Sequence, residues 1–176
     1  MKAAIVQQAG QIPVYGDFSE PTPASGESRI TVTAAALSPV VRSRAAGTHY
    51  SASNQFPFVA GVDGIGRFDD GRRVYFAMPR TPFGSMAERT AAPSTLCVPV
   101  PDELDDVTAA AIANPGMSSW AAYKQRAVLK AGETVLVNGA TGTAGRLAVQ
   151  IAKHLGARKV IATGRNAESL RAVEAL

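Results

Sequence analysis

The apolar positions divide the chain into two halves of different texture. Up to about residue 100, short apolar runs are interrupted by Gly, Pro, Asn and Asp. Short runs with frequent turn residues predict a small, irregular β-rich domain. The alternation of apolar and polar residues over 30–34 predicts a strand with one solvated face. The runs lie at 3–6, 29–36, 58–68, 73–77 and 96–100.

From Asp102 onward the pattern becomes helical. Asp102 or Asp106 is expected to cap a helix through the alanine-rich stretch 109–113. Pro115 lacks an amide hydrogen and disfavours helical backbone in the residue before it, so the helix is expected to end there. A second helix is predicted over 118–129.

A βαβ unit is predicted in the last third of the chain. The apolar run at 134–138 predicts a strand buried on both faces, as in a parallel sheet. A glycine-rich turn at 139–145 leads into an amphipathic helix over 146–155, with Gly156 placed to end it. A second buried strand is predicted at 159–163.

The glycine-rich turn is the strongest chemical signal in the sequence. At the carboxyl edge of a parallel sheet, such a turn lets a diphosphate approach free amides and the positive end of the helix dipole. In this context the turn predicts dinucleotide binding, although Thr141 breaks the commonest GxGxxG spacing. The alternative is a tight connection in which glycine only relieves backbone strain. The candidate cofactor-binding residues are Gly139, Ala140, Thr141, Gly142, Thr143, Ala144 and Gly145.

The end of the second strand indicates which dinucleotide binds. An acidic residue about twenty positions after the glycines would hold the ribose 2′-hydroxyl of NAD, but Arg165 stands there. A guanidinium pairs well with a 2′-phosphate, so NADPH is expected, with Thr163, Gly164 and Asn166 as further contacts. The alternative is a solvated Arg165. Asn166 is also expected to cap a helix over 167–176.

Composition narrows the function classes. The 176 residues are 46% hydrophobic, enough for a sizeable core, and the net charge of +4 comes from scattered basic residues. A nucleic-acid binder would show a basic stripe interleaved with aromatic residues, which is absent. The single Cys97 can form neither an internal disulfide nor a cysteine-based zinc site. No apolar run is long enough for a membrane span or a signal peptide, so a reducing cytoplasm is the expected compartment.

The motifs, taken in order, resemble the N-terminal portion of a zinc-independent quinone oxidoreductase of the medium-chain dehydrogenase/reductase family. The stretches that carry this resemblance are 56–66, 71–75, 84–89 and 133–156. The resemblance implies an α/β fold with a GroES-like β-rich catalytic domain at residues 1–116. A linking helix and the first βαβ unit of a Rossmann NADPH-binding domain then occupy 117–176. It also implies that the chain is part of a longer protein.

The resemblance further implies hydride transfer from NADPH to a quinone or a conjugated enone. Zinc-dependent relatives carry Cys where this chain has Ser38, and His-Glu where it has Val62 and Asp63, so no metal site is expected. By the same resemblance, Ser38 and Tyr50 are expected at the substrate edge as candidate catalytic residues, and Ser118 is expected beside the cofactor. The alternative for Tyr50 is an ordinary loop aromatic.

Two other functions stay open at this point. One is the enoyl-reductase module of a fatty-acid or polyketide assembly line. The other is a non-catalytic NADPH-binding protein that senses redox state or binds a partner. The expected partners are a small quinone or enone and a second copy of the intact chain, with neither nucleic acid nor membrane.

Overall fold

The computed structural model describes residues 1–52 and 55–176, which form two compact units, Met1–Ala111 and Ile112–Leu176. The division falls inside a helix, a few residues before the boundary predicted at 116/117, which stays a prediction. No helix among the described residues combines the length and apolar character that a membrane crossing requires.

The first unit is built mainly of antiparallel strands, as the sequence predicts. Its elements are β1 (Lys2–Val6), β2 (Val14–Asp17), β3 (Glu27–Ala35), α1 (Pro39–Ala45), β4 (Phe58–Val59), β5 (Asp63–Arg67), β6 (Arg73–Ala77), β7 (Arg89–Pro93), a 3₁₀ turn (Ser94–Leu96) and β8 (Cys97–Pro99). Five strands form one sheet in the order β7-β3-β5-β6-β8, and β2-β1-β4 form another. Ile30, Ile65 and Phe76, fully buried, lie at the centre of the larger sheet.

Helix α2 (Asp106–Ala121) corrects two predictions. Its first turn is capped by Asp105, whose Oδ1 accepts a hydrogen bond of 2.9 Å from the amide of Thr108, so the cap is neither Asp102 nor Asp106. The helix continues through Pro115 and ends in a π-helical turn at Ala122–Arg126, so the predicted break was wrong. Proline removes one amide donor, and the helical bonds on both sides of it are retained.

The second unit holds the predicted βαβ arrangement: β9 (Thr134–Val137), α3 (Thr143–His154), β10 (Lys159–Ala162) and α4 (Ala167–Glu174). The two strands are parallel, with Val137 opposite Ala162. Asn166 caps α4 as expected, because its side chain accepts from the amide of Ser169 at 2.8 Å.

The parallel pair is covered on one face only. Val137 packs with Val149 of α3 and Val173 of α4 in one buried cluster. On the opposite face Leu136 is 64% exposed and Ile161 is 41% exposed. The expectation that these strands are buried on both faces is therefore wrong for the described residues. Alternate side chains of a strand point to opposite faces, and the helices of this unit cover only one of them.

Candidate cofactor site

The three glycines of the turn between β9 and α3 serve different purposes. Gly139 has a φ of +75°, which disfavours any other residue. A Cβ on Gly145 would lie 2.3 Å from the carbonyl oxygen of Gly139, so close packing requires glycine there. Gly142 has an ordinary φ of −79°, and apart from the adjacent backbone a Cβ there would meet no atom of the described residues within 4 Å. Backbone strain therefore does not explain Gly142, and the open space above it fits a ligand.

The turn presents unpaired amides at the start of α3. Gly142 is the N-cap residue, has no side chain to accept hydrogen bonds, and no acidic residue lies in the first turn. The N–H groups of Thr143, Ala144 and Gly145 consequently have no partner within the helix. Together with the helix dipole they favour an anion at this point.

Ala140 belongs to the sheet rather than to this anion site. It is fully buried, and its amide donates to the carbonyl of Thr163 at 2.8 Å. This bond extends the β9–β10 pairing by one step and fixes the level at which the turn leaves the sheet. The contact between Ala140 and the cofactor stays a prediction, and the amide of Ala140 is already engaged with Thr163.

A cavity of about 510 Å³ opens beside the turn, at the carboxyl ends of both strands. Its volume lies in the range of small-molecule sites, about 300–1,000 Å³. The exposed Arg165 lines it and forms no ion pair within residues 1–52 and 55–176. The structure thus brings the residues predicted from the two strand ends to one cavity. The lining is Asn138, Gly139, Thr141, Thr163, Gly164 and Arg165.

Asn138 is the residue of this cavity that the sequence analysis missed. The hydroxyl of Thr163 donates a hydrogen bond of 2.7 Å to Oδ1 of Asn138, which joins the ends of β9 and β10. The available signal was a polar side chain directly after the apolar strand. Its partner lies 25 positions away and depends on the strand register.

Two further predicted cofactor contacts, Asn166 and Ser118, do not line the cavity. The side chain of Asn166 is engaged in capping α4. Ser118 is exposed on α2, within the second unit. Neither assignment is tested by the geometry, and both stay predictions.

The two candidate catalytic residues belong to the first unit. Ser38 precedes α1 without capping it, and its buried Oγ has no hydrogen-bond partner in the described part of the chain. Tyr50 is 96% exposed, and its ring lies 4.3 Å from that of His49. No hydrogen bond joins Ser38 and Tyr50 among the residues that the structure describes. Their catalytic roles stay predictions.

Asp63 is buried and hydrogen-bonded to a neighbouring strand. It is the first residue of β5, only 1% exposed, and Oδ2 accepts a hydrogen bond of 3.0 Å from the hydroxyl of Tyr75. Burial raises the pKa of this carboxyl, and the bond from Tyr75 partly opposes that shift. Within the described ranges, no three His, Cys, Asp or Glu side chains lie close enough to share a metal ion.

Comparison with known proteins gives consistent similarities along the whole chain. The chain is 32% identical over its full length to a probable NADPH-dependent quinone reductase of Emericella nidulans, and spans 58% of it. It is 34% identical to human quinone oxidoreductase over 89% of the chain and 50% of that protein. No protein-family model matches the chain.

Solved structures show the same likeness. The quinone oxidoreductase of Thermus thermophilus, determined also in complex with NADPH, superposes with a TM-score of 0.88 at 32% identity. A mycobacterial quinone oxidoreductase superposes with a TM-score of 0.89 at 28% identity. Each superposition covers 99% of this chain, and respectively 57% and 56% of the neighbour.

Proposed function

Because this chain belongs to the quinone oxidoreductase group of the medium-chain dehydrogenase/reductase family, we propose that its intact protein is an NADPH-dependent quinone reductase. The observation that carries the proposal is the open backbone at Gly142 beside three first-turn amides that have no partner within the helix. The chain spans 58% and 50% of the two quinone reductases compared above, so activity is proposed for the intact protein.

The residues of the second unit fit the phosphates of NADPH. The diphosphate would lie over Gly142, where a side chain is absent and the first-turn amides of Thr143 and Ala144 have no partner within the helix. Arg165, which lines the cavity and has no ion-pair partner among the described residues, would pair with the 2′-phosphate through its planar guanidinium. When bound, NADPH supplies the hydride for reduction of a quinone or conjugated enone.

The chain's own contribution to the reaction is positioning and a proton. Reduction of a quinone by hydride also consumes one proton, so a hydroxyl at the substrate edge would serve as a donor. Tyr50 is the proposed donor, since its side chain is exposed and its hydroxyl makes no hydrogen bond within the described part of the chain. Ser38 is proposed as the second catalytic residue on the family resemblance alone, because its unpartnered Oγ is buried. We propose that no metal takes part, because Ser38 and Val62 are poor zinc ligands.

An assembly-line enoyl reductase is the second candidate. One observation favours it: 61% of the chain is 37% identical to a phenolphthiocerol/phthiocerol polyketide synthase subunit of Mycobacterium tuberculosis. Both candidates require a conjugated acceptor and NADPH; they differ in the acceptor, which is a free quinone or enone in the first and a carrier-bound enoyl thioester in the second. A cytoplasmic location and a homodimer of the intact protein are proposed with either.

The test is NADPH consumption by the intact protein against a panel of quinones, enones and an enoyl thioester. We expect quinone-dependent loss of NADPH absorbance and little oxidation of NADH. A protein that binds NADPH tightly but reduces none of the acceptors would overturn the enzymatic proposal in favour of an NADPH sensor. Faster turnover of the thioester would favour the assembly-line function.

A further inference from the structure

We propose that Asn138 is a specificity-determining contact for the 2′-phosphate end of the cofactor, and that Thr163 is the positioning residue that aims it. This inference rests on the proposed NADPH site and deepens it. It begins from the hydrogen bond of 2.7 Å between the Thr163 hydroxyl and Asn138 Oδ1.

The number of hydrogen-bond donors on each side chain shows whether Asn138 or Thr163 can donate to a phosphate. A threonine hydroxyl has one hydrogen, and here it is donated to Asn138, so Thr163 has none left for a phosphate. A carboxamide has two N–H donors in addition to its oxygen. With Oδ1 held by Thr163, the Nδ2 group of Asn138 is left without a protein acceptor in the described part of the chain, and Asn138 is one of the residues that line the cavity. The donor for an anionic ligand is therefore Asn138.

The backbone around this pair is fixed on both sides. The amide of Thr163 donates to the carbonyl of Val137 at 3.0 Å, and its carbonyl accepts from Ala140 at 2.8 Å. A Cβ on Gly164 would lie 2.8 Å from Cγ2 of Thr141, so the loops after β9 and β10 touch. A side chain held between such fixed strand ends loses little freedom when a ligand binds, which favours affinity.

Charge complementarity identifies what this end of the cavity selects. Arg165 supplies the cation and Asn138 supplies neutral donors, while none of the described residues that line the cavity carries a carboxylate. A lining of this kind favours a phosphate over a ribose hydroxyl, which needs an acceptor for its own hydrogen. The pair Asn138 and Arg165 would thus distinguish NADPH from NADH.

The experiment uses two half-cofactor probes, 2′,5′-ADP and 5′-AMP, titrated calorimetrically into the intact protein. Asn138→Asp preserves the shape of the side chain but removes the donors and adds a negative charge. We expect this substitution to weaken the binding of 2′,5′-ADP by about tenfold to a hundredfold, and the binding of 5′-AMP by much less. Equal weakening of both probes would overturn the specificity role.

Two variants of Thr163 test the positioning role. Thr163→Val loses the hydroxyl and frees the carboxamide to rotate, so 2′,5′-ADP should bind several-fold more weakly. Thr163→Ser keeps the hydroxyl and should restore the affinity of the native protein. If Thr163→Val binds 2′,5′-ADP as tightly as the unaltered protein, the positioning role of Thr163 is overturned. Thermal unfolding of each variant separates these effects from loss of folding.

Failure of this inference is distinguishable from failure of the proposed function. If the unaltered protein binds neither probe, the cofactor site itself is misplaced and both proposals fall. If it binds 2′,5′-ADP more tightly than 5′-AMP, and the Asn138 and Thr163 variants retain that preference, only the present inference falls.

Discussion

The hydroxyl of Tyr75 donates a hydrogen bond of 3.0 Å to Oδ2 of the buried Asp63, while Oδ1 of the same carboxyl has no partner among the described residues. Tyr75 and Asp63 lie on neighbouring strands, β6 and β5. Burial raises the pKa of the Asp63 carboxyl above its ordinary value of 3.8, and it raises the pKa of the Tyr75 hydroxyl as well.

The raised pKa of Asp63 determines how stability changes with pH. Folding favours the protonated carboxyl, so this group contributes its full stability below the pKa of the unfolded chain. That contribution is lost as the pH rises through the higher folded pKa. Tyr75→Phe removes the bond that favours the charged form and should raise the pKa further. We expect a loss of about 1–3 kcal/mol in unfolding free energy at pH 7 and a smaller loss at pH 4.

Urea unfolding of the Tyr75→Phe protein at both pH values measures this difference. Tyr123→Phe is the matched control, because Tyr123 is partly buried and has no hydrogen-bond partner for its hydroxyl in the described chain. An equal loss at pH 4 and pH 7 for Tyr75→Phe would show that the bond to Asp63 does not control its protonation.

Gly142→Val should weaken NADPH binding strongly while costing little stability. The φ of −79° suits valine, and apart from the adjacent backbone no atom of the described residues lies within 4 Å of the added Cβ, so a bound ligand is what the side chain would meet. We expect affinity to fall by more than about tenfold with little change in melting temperature. Fluorescence titration and thermal unfolding on the same protein make the measurement.

Gly145→Ala provides the contrast. Its Cβ would lie 2.3 Å from the carbonyl oxygen of Gly139, so the turn must distort and stability should fall by about 1–3 kcal/mol. Should Gly142→Val melt much earlier yet bind NADPH normally at low temperature, the turn would be a structural connection and not a phosphate site.

Arg165→Asp should change the cofactor preference from NADPH towards NADH. Loss of a charge-assisted bond to the 2′-phosphate costs about 1.5–3 kcal/mol, which corresponds to tenfold or more in the ratio of affinities. Arg171→Asp, an equal change of charge at an exposed position of α4, is the control. An identical response of the two variants would mean that net charge, and not Arg165, determines the preference.

The intact protein is expected to contain no stoichiometric zinc. The sequence has one Cys and two His, without ligand-like spacing among them. Metal analysis should therefore give well below one zinc per chain, and chelators should leave quinone reduction unchanged. One zinc per chain, with activity lost on chelation, would require a different mechanism.

Local signals explain which parts of this structure were predictable. The turn at Gly139–Gly145 was predictable because strand, glycines, helix and second strand are adjacent in the sequence. The path of α2 through Pro115 was not, since the cost of one lost amide depends on the helical bonds around it. The bond from Thr163 to Asn138 depends on strand register, which no short stretch of sequence specifies.

The bare face of the parallel pair also affects how the chain would behave in concentrated solution. β9 and β10 each have one strand neighbour among the described residues, so open backbone edges accompany the exposed Leu136 and Ile161. Unpaired edges beside apolar surface promote pairing between molecules. Preparations of this chain would therefore lose monodispersity as they are concentrated. Self-association would then limit the protein concentration that can be used for spectroscopy or crystallisation.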